Sequence, residues 1–91
     1  MADFGSPVLY SLRWQRWSGA DTCAEPGRVL ICAYHIDVDE RPSLWMEVDT
    51  QDEARYICEN FELARGERDV DFCVAYDEDG RQLCNGGFGA E

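Results

Sequence analysis

The chain contains no lysine, and His35 is its one histidine. The first absence removes the phosphate-loop lysine, Schiff-base chemistry and the magnesium nuclease centres that need a lysine beside their acids. The second leaves little for acid–base work. Cys32 lies three residues before His35, on the opposite side of any regular strand, so the two do not form a nucleophile–base couple. The five cysteines, at positions 23, 32, 58, 73 and 84, are odd in number, scattered, and form no CxxC pair. Zinc spacing and a disulfide framework are both missing, so the thiols read as reduced and mostly buried, as in a cytosolic protein. No apolar run approaches the ~20 residues of a membrane span. The stretch "MADFGSPVLY" lacks the charged and apolar regions of a signal peptide. Asp77-x-Asp79-Gly80 begins like a calcium loop, but Gly86 and Gly87 stand where the closing glutamate belongs. "GGFGAE" has no strand before it and no helix after it, so it is no phosphate loop. No catalytic residue, metal or cofactor is assigned, and the chain reads as a non-enzyme.

Acid is what the chain has in excess. Nineteen Asp and Glu face eight arginines, for a formal charge of −11. The stretch Ile36–Glu53, "IDVDERPSLWMEVDTQDE", holds seven carboxylates and one arginine. Hydrophobic residues still make up 45% of the 91 residues, with three Trp, four Tyr and four Phe, so the charge does not signal disorder. Phosphates and anionic lipid repel such a body, whereas basic protein surfaces attract it. Direct nucleic-acid and membrane partners are therefore not expected.

The pattern is that of one α+β domain, residues 1–91, in the order β-β-β-α-β-β, with residues 1–6 and 85–91 as loose tails. "PVLYSLRWQRW" alternates with Val8, Tyr10, Leu12 and Trp14 on one side and predicts a first strand over 7–17. Residues 28–38 read as a central strand, 43–49 and 70–76 alternate again, and "RQLC" closes a hairpin across the turn Asp77–Gly80. Thr50 with Glu53 is a capping box, and Ala54, Ile57, Cys58 and Phe61 form one apolar stripe, with Gly66 just past the helix end. A mostly antiparallel sheet of about five strands, covered on one face by one helix, follows.

Strand alternation then assigns the acids. With Leu44, Met46 and Val48 toward the helix, Trp45, Glu47 and Asp49 point away. With Leu30, Tyr34, Ile36 and Val38 toward it, His35, Asp37 and Asp39 point away. With Val70, Phe72, Val74 and Tyr76 toward it, Asp69 and Asp71 point away. Three acidic i, i+2 pairs thus share an open face that receives only Arg13 in return. Their spacing, roughly 6.6 Å along a strand and about 4.8 Å between strands, is comparable with the ~3.4 Å charge spacing of a DNA strand. Such packing costs stability, so it suits a basic partner. The same face could serve solubility alone, since antiparallel sheets commonly keep one solvated side.

In its size, acidity, lack of lysine and simple α+β build, the chain resembles the small phage-encoded anti-CRISPR proteins over nearly its whole length. The resemblance is one of type, since that group shares no motif from which residues carry over. It implies a monomeric inhibitor in the host bacterial cytoplasm. Such an inhibitor fills the basic DNA-binding channel of a type I CRISPR surveillance complex with DNA-like negative charge. Asp37, Asp39, Glu47, Asp49, Asp69 and Asp71 are then the contact charges and Trp45 the anchor. An immunity protein capping a basic nuclease toxin and a small housekeeping binding module are the alternatives.

Overall fold

The computed structural model describes residues 4–18, 22–37 and 40–87. Five strands form one open antiparallel sheet: β1 Gln15–Arg16, β2 Val29–Tyr34, β3 Leu44–Val48, β4 Phe72–Tyr76 and β5 Gln82–Gly87. Their order across the sheet is β1-β3-β2-β4-β5. With its helices on one side, the fold is α+β.

Local chemistry builds the helix start as expected. Thr50 is the N-cap of α1, Gln51–Glu59, and its side chain accepts the Glu53 N–H at 3.1 Å. The returning bond of the box shifts by one residue, since the Glu53 carboxylate accepts from the Asp49 N–H at 3.4 Å. Asn60 then leaves helical geometry, and a second short helix, α2, spans Phe61–Ala64. Gly66 follows at φ 62°, the left-handed position that favours glycine beyond a helix end. In the β4–β5 turn, the Asp77 carboxylate accepts the N–H groups of Asp79 and Arg81, both at 2.9 Å. β5 then runs three residues past Cys84, through Asn85, Gly86 and Gly87, which the sequence reading places in a loose tail.

The first strand is where local pattern and fold part. Pro7–Leu12 is a 3-10 helix, and only Gln15–Arg16 of the expected strand pairs with β3. Pro7 suits a first turn, since its missing N–H would have no partner there. The tertiary contacts explain the rest. Tyr10 is buried and its hydroxyl donates to Glu53 at 2.6 Å, and the buried Trp14 donates its indole N–H to the Ala64 carbonyl at 2.9 Å. An extended chain would present Val8 and Leu12 beside them, yet Leu12 is 82% exposed.

Both faces of the sheet are apolar. On the helix side, Val29, Ile31, Ala33, Met46, Val48, Cys73 and Ala75 pack with Ala54, Ile57, Cys58 and Phe61. On the other, Leu30, Cys32, Tyr34 and Val74 pack with Ala24 and are flanked by Trp17, Trp45, Phe72 and Tyr76. Tyr34 stacks on Phe72 with ring centroids 5.1 Å apart, and the Tyr34 and Tyr76 hydroxyls share a 2.7 Å hydrogen bond. The expected facing therefore holds for β3 and for Val70, which joins the helix-side core, and is inverted along β2 and along β4 itself. A strand buried on both sides has no parity to read, and a one-residue shift moves every side chain to the other face.

This second core has a pH signature. Burial raises the phenols of Tyr34 and Tyr76 above their ordinary 10.0, as it does that of Tyr10, and pushes the Cys32 thiol up from 9.0 to about 12. For Tyr34 and Tyr10 the hydrogen bonds to Tyr76 and Glu53 add to the rise. Each group is neutral when protonated, and its folded pKa exceeds the unfolded one. The associated stability is complete below the unfolded values and is lost as pH climbs past about 9 for the thiol and about 10 for the phenols, toward the raised folded values. Tm is therefore expected to hold up to about pH 8 and fall from about pH 9. A Tm flat to pH 11 would contradict the burial of these groups.

Candidate functional site

The carboxylates singled out by alternation do not share one face. Glu47 does point away from the helices, opposite Leu30, but its side chain is only 18% exposed. Asp49 lies just past β3 with its side chain 82% exposed. Asp37 is exposed in the turn after β2, and Asp69 is exposed in the segment before β4. Asp71 is half-buried and accepts the Ile36 N–H at 2.7 Å, so it fixes that turn. Asp39 lies outside the described residues. Trp45 is half-buried in the second core. Glu47 sits at the level of Leu30 and Asp71 just beyond that of Tyr34, four residues along β2, or roughly 13 Å. The supposed acidic face is thus two groups at opposite ends of the sheet, separated by aromatic surface. Arg13 belongs to the helix layer, over the Tyr10 ring and 3.6 Å from Glu53.

One of those ends is richer in acid than the sequence reading supposed. Antiparallel pairing brings together the start of β2, the end of β3 and the β4–β5 turn. Glu25, Glu47, Asp49, Asp77, Glu78 and Asp79 gather there around Arg28, with Arg81 on the turn itself. Arg28 reaches Asp49 at 3.5 Å and Glu47 at 4.0 Å, and its buried Nε makes no hydrogen bond. Two further bonds tie the loop before β2 to this end: Glu47 accepts the Glu25 N–H at 3.3 Å, and Glu78 accepts the Gly27 N–H at 3.2 Å. Between them runs a groove of about 330 Å³ lined by Arg28, Asp49, Thr50, Asp77, Glu78 and Asp79, among others. The groove contains more negative charge than its one arginine offsets.

Around the corner, on the sheet face away from the helices, a smaller cleft of about 170 Å³ is lined by Trp17, Trp45, Leu30, Glu25 and Glu47, among others. A cation entering there would be drawn by the indole quadrupoles and by the charge of Glu25 and Glu47, although Glu47 already accepts the Glu25 N–H and lies 4.0 Å from Arg28. The volume fits a single arginine or lysine side chain rather than a folded ligand. Alternation along β3 puts Trp45 and Glu47 on one face, but it carries no signal for Glu25, Trp17 or Arg28 beside them. The missing signal was strand order, which brings Glu25, from the loop before β2, alongside β3.

Among the described residues, no group of three or more His, Cys, Asp or Glu side chains is arranged to hold a metal ion. Nor is any described helix long and apolar enough to cross a membrane. Compared with known proteins, the chain matches no family model, no curated protein and no solved structure.

Proposed function

We propose that this chain is a stoichiometric protein inhibitor that docks on the basic surface of a nucleic-acid-handling complex. In its most specific form it is an anti-CRISPR protein that blocks the DNA-binding channel of a type I surveillance complex in the host cytoplasm. The observation that supports the reading best is the tryptophan cleft lined also by Glu25 and Glu47, next to the carboxylate groove around Asp49 and Asp79. An arginine or lysine that lines a DNA channel would enter the cleft, with a cation–π gain of about 0.5–2 kcal/mol. The charge of −11 would steer the encounter and make it weaken with salt. Trp45 remains the anchor in this scheme, joined by Trp17. Of the expected contact charges, Glu47 and Asp49 stay at its centre, and Asp37, Asp69 and Asp71 fall outside it.

The test is capture from lysate of a CRISPR-bearing bacterium by tagged protein, with washes of rising salt and identification of what is retained. One basic nucleic-acid-handling complex, recovered in stoichiometric amount and released by salt, is the expected result. The variant Asp49→Lys/Asp79→Lys changes two exposed groups outside either core and removes only the exposed Asp49–Arg28 pair, worth about 0–1 kcal/mol, so its Tm should stay close to the parent's. It is expected to lose about tenfold or more in retention at low salt. Undiminished retention by that folded variant would remove the groove from the mechanism.

A further inference from the structure

Three of the five thiols converge under α1. The Cys58 Sγ lies 3.5 Å from the Cys73 Sγ and 3.5 Å from the Cys84 Sγ. The elements make this meeting unavoidable. Cys58 ends the apolar stripe of α1, and Cys73 and Cys84 come from β4 and β5 beneath it. The helix can come so low because Gly86 has no side chain: a Cβ there would overlap the Cys58 backbone. Cys58 and Cys73 are buried, and Cys84 is half-buried at the margin of the core. Cys23 is exposed, and Cys32 lies in the core on the sheet's other face.

We infer that Cys58, Cys73 and Cys84 form an oxidisable three-thiol centre, in which Cys58 closes a disulfide with either neighbour at the expense of a hydroperoxide. Cys84 is the reachable member and reacts first. Its sulfur bonds to one peroxide oxygen as the O–O bond breaks, and the other oxygen leaves as water or an alcohol with the thiol proton. The product is a sulfenic acid on Cys84. The Cys58 sulfur then bonds to the Cys84 sulfur, and the S–O bond breaks. Hydroxide departs with the Cys58 proton as a second water. With hydrogen peroxide, two thiols are oxidised to one disulfide and the peroxide is reduced to two waters. Cys73, equally close to Cys58, can attack the Cys58 sulfur, releasing Cys84 as a thiol and passing it a proton, with no net redox change. The disulfide is therefore degenerate in partner but always contains Cys58, and in either form it ties α1 to the sheet. The Cys73 hydrogen bond and burial raise the Cys58 pKa against an opposing effect of Cys84, and the Cys58 hydrogen bond and burial raise that of Cys84, so this centre reacts slowly compared with an exposed thiolate. The inference stands independently of the proposed docking function.

The sequence makes the test direct. Cleavage after Arg55, Arg65, Arg68 and Arg81 leaves Cys58, Cys73 and Cys84 on three separate tryptic peptides, and Arg28 divides Cys23 from Cys32. The native protein is incubated with hydrogen peroxide, then denatured, alkylated, digested and mapped by mass spectrometry. The expected product links the Cys58 peptide to that of Cys84 or Cys73 within one chain, while Cys32 remains alkylatable. Cys73→Ala is expected to leave only the Cys58–Cys84 link, and Cys84→Ala to slow oxidation about tenfold or more. The map of the unsubstituted protein decides even if a variant fails to fold. Three free thiols after exposure, a sulfinic acid on Cys84 beside an unreacted Cys58, or links confined to Cys23 or Cys32 would each overturn the inference.

Discussion

Gly86→Ala is expected to lower stability by about 3 kcal/mol or more, among the largest effects available to a single methyl group in this chain. The position lies in β5 directly beneath α1, and a Cβ there would run into the carbonyl, carbonyl carbon and Cα of Cys58. These are backbone atoms, so no side-chain rotation relieves the overlap. Either α1 lifts, loosening Ala54, Ile57 and Cys58 from Cys73 and Ala75, or β5 leaves β4. Glycine inside a strand commonly marks such a close approach. Gly27 is the control: it has φ 80° but nothing within 4 Å of a built Cβ, so alanine there should cost only about 1–2 kcal/mol of backbone strain. Urea unfolding followed by far-ultraviolet circular dichroism separates the two. Equal midpoints for Gly86→Ala and the parent would mean that α1 does not sit on β5 as described.

Trp14→Ala should cost about 3–5 kcal/mol, the usual range for a large aromatic removed from a core. Trp14 is 5% exposed, meets the Phe61 ring edge-on at 6.1 Å, and is the indole donor to the Ala64 carbonyl. Alanine leaves a cavity between the 3-10 helix and α2 and strands that carbonyl at the end of a helix. Trp14→Phe restores much of the volume but not the donor, so it should fall between the parent and Trp14→Ala. At about 4–8 °C per kcal/mol for a domain of this size, the alanine variant should melt at least 12 °C lower. A loss below about 1 kcal/mol would show that Trp14 is a surface ring after all.

Whether a feature was legible in the sequence depended on how local its cause is. The cap at Thr50, the turn at Asp77–Gly80 and the glycine at Gly66 rest on bonds between residues a few positions apart, and these could be read directly. The 3-10 helix in place of most of the first strand is not legible locally, because Tyr10 and Trp14 are buried by partners about 40 to 50 residues away, Glu53 and Ala64, which no alternation records. The candidate site suffered the same way. Parity along β2 and β4 cannot assign the acids to a face, because Leu30, Cys32, Tyr34 and Val74 are as apolar as Ile31, Ala33, Cys73 and Ala75. Only β3, where Glu47 interrupts one side, carried a usable parity, and there Trp45 and Glu47 were placed correctly.

By itself, the sequence determined an acidic α+β chain of five antiparallel strands with a capped helix before β4, because composition and short-range hydrogen bonding act within a few residues. Only the tertiary structure decided which sheet face each of β2 and β4 turns to the helices. That choice depends on Trp17, Ala24 and the aromatic rings closing over the second face. It also decided that Glu25, Glu47, Asp49 and the Asp77–Asp79 turn meet at one end of the sheet, and that three distant thiols touch. Those meetings follow from strand order and from the room Gly86 leaves for α1, and both come from packing between segments far apart in the chain.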